Sequence, residues 1–98
     1  MGLLRRNSTN RIALSVSTEY SSPTVTVTLT DNRTGQAIPG PSWPVTMTEI
    51  SGGGGFEAFF GCETMPLEGV SRVRSVIHFD DGEDNCRTFV SVFSVRDG

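Results

Sequence analysis

Thr24 to Gly40, TVTVTLTDNRTGQAIPG, limits the possible folds more than any other stretch of the chain. It opens in strict alternation: Val25, Val27 and Leu29 fall on one side, and Thr24, Thr26, Thr28 and Thr30 on the other. A period of two marks a strand with one buried and one wet face. The stretch then breaks into Asp31-Asn32-Arg33-Thr34-Gly35 and Ile38-Pro39-Gly40-Pro41, which are turn formers.

The same pattern recurs along the chain. Ile12 to Ser17 alternates apolar and small polar residues, Trp43 to Ile50 forms a further strand, and Phe56 to Phe60 follows a glycine run. Val70 to Phe79 sets Val73, Ile77 and Phe79 against Arg72, Arg74 and His78. Arg87 to Val95 carries Phe89, Phe93 and Val95 on one face and Val90 and Val92 on the other. A strand apolar on both faces is either central or meets a partner. No window shows a helical period, and short strands at intervals of roughly 8–12 residues point to a sandwich or small barrel. The expected fold is all-β: one two-sheet antiparallel β-sandwich of six to seven strands. Residues 11–98 form this domain, and residues 1–10, polar and charged after Leu4, are expected to be a mobile or partner-ordered arm. Met65 to Gly69 reads as a turn.

The order of these elements resembles a known group. A strand entering Leu29-Thr30-Asp31, then Thr34 to Gly40, is similar to the opening of transthyretin-like (prealbumin-like) sandwiches. That immunoglobulin-like group includes carboxypeptidase regulatory-like domains and the B-type repeats of adhesins. Gly55 to Phe59, Pro66 to Val70 and Arg72 to Arg74 continue the likeness, which covers residues 24–80. Val70 stands where the group usually has Tyr, and the chain has no Lys to donate the isopeptide crosslink found in some adhesin repeats. The resemblance implies a structural or binding module and carries over no catalytic residue.

Charge and topogenic signals narrow the partners. A net charge of −3 disfavours a nucleic-acid partner, which usually calls for a basic field. The basic residues are all Arg, as expected of a genome rich in G and C. No apolar run approaches the ~20 residues of a membrane helix, so no membrane partner is expected. Met1 to Asn7 lacks the apolar core of a secretion signal. Synthesis in the cytoplasm is therefore expected, with the virion as a possible destination.

Each chemistry-bearing group has a bland and a sharp reading. Asp80, Asp81, Glu83 and Asp84 surround Gly82 and could supply oxygens to calcium, the one cofactor in view, although the order is not that of an EF-hand loop. The bland reading is a solvated hairpin loop. His78, the only histidine, lacks a nucleophile motif beside it, so no enzyme is expected. With Cys62 and Cys86 it falls short of a zinc ligand set unless a carboxylate joins. Cys62 and Cys86 are expected at opposite ends of a strand spanning roughly 30 Å. A disulfide needs Cα atoms within about 7 Å, so both are expected as free thiols. The Gly52 to Gly55 run precedes a strand rather than a helix, which removes the phosphate-cradle reading. Trp43, Tyr20, Phe59 and Phe60 could make a sugar platform or simply pack. Arg72, Arg74, Val90 and Val92 are the expected interface.

The function expected on these grounds is a non-enzymatic structural module that self-associates and docks on a larger assembly. A bacteriophage virion is the assembly named, as a capsid-decorating or tail protein. The alternative is a ligand-recognition domain that binds carbohydrate or calcium through its loops.

Overall fold

A computed structural model describes residues 2–16, 23–51, 54–82 and 86–97. These residues form eight strands and no helix: β1 (Leu3–Arg6), β2 (Asn10–Ser15), β3 (Thr24–Asp31), β4 (Val45–Thr46), β5 (Thr48–Glu49), β6 (Gly55–Phe60), β7 (Arg72–Asp80) and β8 (Cys86–Asp97). They build a five-stranded sheet, ordered β1-β8-β7-β3-β4, and a three-stranded sheet, ordered β2-β6-β5. The all-β, two-sheet expectation holds. The larger sheet is mixed rather than antiparallel, because β1 runs parallel to β8. No helix among the described residues is long and apolar enough to cross a membrane.

The alternation of β3 does what its sequence requires. Val25, Val27 and Leu29 are buried, while Thr26, Thr28 and Thr30 are only half-covered. β3 pairs antiparallel with β7 from Thr24↔Asp80 to Asp31↔Val73, so Val73, Ile77 and Phe79 join the same inner face. Ile12 and Leu14 from β2, and Phe56, Ala58 and Phe60 from β6, meet them from the smaller sheet. Phe56 and Phe79 touch edge to face across the two sheets, with ring centroids 6.1 Å apart.

Three expectations need correction or refinement. The first is the arm. Residues 3–6 are β1, in register Leu3↔Ser94 to Arg6↔Asp97, and Leu4 is 1% exposed. One leucine among charged neighbours is a faint signal, yet it fills the core. The return into β2 is held by Asn10, which is buried. Its Oδ1 accepts from the Arg5 N–H (2.9 Å), and its Nδ2 donates to the Arg5 carbonyl (3.0 Å). A buried amide satisfied this way stabilises the turn, whereas an unpartnered one would oppose folding. Asn7 takes a positive φ of 53° at that turn, a conformation Asn tolerates better than most residues.

The second correction concerns Trp43 to Ile50, which is two strands rather than one. β4 pairs with β3 and β5 with β6, so the chain passes from one sheet to the other at Met47, whose side chain is buried. The Trp43 indole N–H donates to the Ile38 carbonyl (2.8 Å), and its ring lies 5.5 Å from that of Phe60. Gly40 is fixed by its surroundings. Its φ is 120°, and a Cβ there would collide with the Thr64 carbonyl.

The third point refines Met65 to Gly69: the chain does turn, at Glu68 and Gly69, but the segment also feeds the core. Met65, Leu67 and the following Val70 are all in the core. Arg6 secures this segment, donating from Nε to the Leu67 carbonyl (3.2 Å) and from a terminal nitrogen to the Val70 carbonyl (2.6 Å). Asn7 N–H adds a bond to the Pro66 carbonyl at 3.2 Å. β1 therefore ties together the last strand and an otherwise irregular stretch of core.

Two stability outcomes follow, both readable by urea denaturation. Leu4→Ala should cost about 2–5 kcal/mol, as for other buried leucines, whereas a substitution in a loose arm would stay within about 0.5 kcal/mol. Ser75 lies on the inner face at 1% exposure, and its hydroxyl has no hydrogen-bond partner among the described residues. Ser75→Ala should lose no stability and should gain up to about 1 kcal/mol, because a buried unpaired hydroxyl is a net cost.

Candidate functional site: the outer face of the main sheet

Side chains that the inner faces do not take up are sorted by the same period of two onto the outer face of the larger sheet. On β7 these are Arg72, Arg74, Val76, His78 and Asp80. The β7–β8 register sets Ser94, Val92, Val90, Thr88 and Cys86 directly opposite them, in that order. β3 flanks the other side, with Thr30, Thr28, Thr26 and Thr24 opposite Arg74, Val76, His78 and Asp80. The face is therefore graded along its length. Arginines stand at one end, valines lie in the middle, and His78, Asp80 and Cys86 gather at the hairpin end.

The structure thus brings Arg72, Arg74, Val90 and Val92 onto one surface. Arg74 and Val92 are direct cross-strand partners, and Val90 lies opposite Val76. Both arginines are exposed, Val90 is 50% exposed and Val92 is half-buried. β8 is only partly flanked on its second edge. It pairs with β7 from Cys86 to Ser94, but β1 covers its other edge only from Ser94 to Asp97. Among the described residues, no strand pairs with the other edge of residues 87–93, in a strand apolar on both faces. Phe89, which shares the inner face with its partner Ile77, is 37% exposed whereas Ile77 is buried.

At the hairpin end, ligand atoms of His78, Asp80 and Cys86 all lie within 4.8 Å of one another. His78 and Cys86 are exposed and Asp80 is half-buried. Asp80 Oδ1 accepts the Gly82 N–H at 2.9 Å, closing an Asx turn at the start of the loop. The sequence brought His78 together with two cysteines and found no carboxylate for the set. The structure supplies Asp80 and leaves Cys62 outside the cluster. Half of the signal was legible, since His-x-Asp on a strand shares a face; that Cys86 stands opposite Asp80 is given by the β7–β8 register. Of the four acidic residues considered for calcium, Asp80 and Asp81 are half-buried, and Glu83 and Asp84 lie outside the described residues.

The remaining candidates are dispersed. Cys62 and Cys86 are both exposed and are not joined in a disulfide. Phe60 is buried and Trp43 packs against it, while Phe59 points outward at 60% exposure. These aromatics form no common platform, and Tyr20 lies outside the described residues. Two clefts lie among the described residues, the first sharing Arg72 with the outer face. One, of about 290 Å³, lies between the Asp31 to Arg33 turn and Gly69 to Arg72. The other, of about 480 Å³, runs between Ile38 to Gly40 and Glu63 to Val70. Neither is lined by His78 or a cysteine among the described residues. The groups with the greatest capacity for ligation stand on the sheet surface, not in a concavity.

Comparison of the chain with protein-family models, with curated proteins and with solved structures returned no match.

Proposed function

We propose that the chain is a non-enzymatic, immunoglobulin-like interaction module that self-associates and docks on a larger protein assembly through the open half of β8. The observation that carries this reading is the edge of residues 87–93, which no strand covers among the described residues. A strand edge offers unpaired N–H and C=O groups to any second strand, and monomeric proteins usually guard it with charge, proline or a covering element. Here CRTFVSVF is rich in β-branched and aromatic residues, and Arg87 is its one basic group. Strand addition supplies main-chain hydrogen bonds, and alternate side chains supply specificity. Val90 and Val92 on the outer face, with Arg72 and Arg74 beside them, would give a partner an apolar centre and a basic margin.

The strand order supports the immunoglobulin-like assignment. In that scheme, strands G, F, C and C′ line one sheet and B, E and D the other. Here β8-β7-β3-β4 and β2-β6-β5 occupy those places. The bacteriophage capsid or tail, expected from the sequence, is the assembly in which we place such a module.

Multi-angle light scattering over a range of concentrations tests the reading. The wild-type chain should shift from monomer to a closed oligomer as concentration rises. Val90→Lys, at an exposed position, should weaken that association by about tenfold or more, equivalent to about 1.4 kcal/mol. A wild-type chain that stays monomeric at high concentration and captures no partner would sink the proposal.

A further inference from the structure

We propose that His78, Asp80 and Cys86 form a zinc-binding site at the hairpin end of the outer face. Among the described residues it offers three ligands, one each of nitrogen, oxygen and sulfur. The argument begins with the backbone. His78 and Asp80 are two residues apart on β7, so their side chains leave the sheet on the same side. Cys86 is the direct partner of Asp80 on β8 and lies diagonal to His78, whose own partner is Thr88. Directly opposed and diagonal residues on one face are within reach of each other's side chains. The register alone therefore brings an imidazole, a carboxylate and a thiol together, and their ligand atoms lie within 4.8 Å of one another.

That separation suits a tetrahedral ion. Zinc bonds of about 2.0–2.3 Å hold neighbouring ligand atoms about 3.3–3.8 Å apart. His78 and Cys86 are exposed, so rotation about their side-chain bonds is the movement that binding would require. The Gly82 N–H already fixes one oxygen of Asp80, at 2.9 Å. This is the kind of outer-shell bond that orients a ligating carboxylate and leaves its second oxygen for the metal.

The donor set chooses the metal. Calcium and magnesium take oxygen ligands almost exclusively, and here the described cluster offers one carboxylate beside nitrogen and sulfur. Mixed nitrogen, sulfur and oxygen donors suit zinc, for which three protein ligands and a water make a common arrangement. Binding replaces the Cys86 S–H bond with an S–Zn bond and releases the proton to solvent, and no electrons move. The site does not depend on docking by β8, since all three ligands come from one chain.

Cobalt(II), a spectroscopic stand-in for zinc, tests the site on the full-length chain kept reduced by a phosphine. The wild type should bind one ion per chain. It should show a thiolate-to-cobalt charge-transfer band in the near ultraviolet and the intense visible bands of tetrahedral cobalt, both bleached by added zinc. Cys86→Ser should abolish the charge-transfer band. His78→Ala and Asp80→Asn should each weaken binding at least tenfold, and Cys62→Ser should leave the spectrum unchanged. Circular dichroism checks that each variant keeps its strands, and Cys86→Ser, near-isosteric at an exposed position, is the variant on which the test turns. The proposal is overturned by the absence of a charge-transfer band in the wild type, by a band lost in Cys62→Ser but kept in Cys86→Ser, by wild-type affinity in His78→Ala, or by one ion shared between two chains.

Discussion

The antiparallel pairing of β3 with β7 over eight residue pairs decides both surfaces of the larger sheet at once. Side chains alternate, so a register that buries Val25, Val27 and Leu29 must also bury Val73, Ile77 and Phe79. A slip of one residue would turn Arg74 and His78 into the core and Val73 and Ile77 out to water. Each buried aliphatic or aromatic side chain contributes about 1.5–3 kcal/mol over its exposed state, so the register is strongly held. The outer face is the other side of that constraint. The rows Arg74–Thr30, Val76–Thr28, His78–Thr26 and Asp80–Thr24 are fixed by the core beneath them.

A second set of interactions closes the structure where the sheets do not. Sequence-remote segments meet at Arg6, which bonds to the Leu67 and Val70 carbonyls and pairs with Asp97 at 2.9 Å. The ion pair itself is exposed on the aspartate side and contributes little. The weight falls on the two carbonyl bonds, which satisfy backbone groups of a segment without strand partners of its own. Those bonds hold Leu67 and Val70 in the core and seat β1 beside β8.

Legibility in the sequence follows the range of the interaction. β3, β6, β7 and β8 could be read because alternation and turn formers are local signals. The division at Met47 could not, since a strand that changes sheets keeps the same alternating pattern on both sides of the crossing. β1 was hidden because its burial rests on Leu4 alone and its partner is about ninety residues away, in register Leu4↔Val95. Arg72, Arg74, Val90 and Val92 could be grouped from the sequence because each declares a face. The ligand cluster could not. It depends on which residue of β8 stands opposite Asp80, and the length of a loop written in Asp, Gly and Asn does not state a register.

The outer face also gives a reason for the composition of β8. An ordinary edge strand would place charge on the outer face of residues 86–93, away from the core. Here Phe89 and Val90 remain partly exposed on opposite faces, while charged residues sit at the strand's ends, at Arg87, Arg96 and Asp97. Leaving apolar surface in water forgoes the stabilisation that burial elsewhere would provide, about 25 cal/mol per Å². A free edge that is also apolar therefore leaves two things undone, with backbone groups bonded to water rather than to a strand and apolar area unburied. The same addition of a strand relieves both. It would run beside Cys86 to Phe93, against the valines of the outer face and between the arginine end and the His78–Asp80–Cys86 end. The sign of charge differs between those two ends, so a partner strand would have a preferred direction as well as a preferred place.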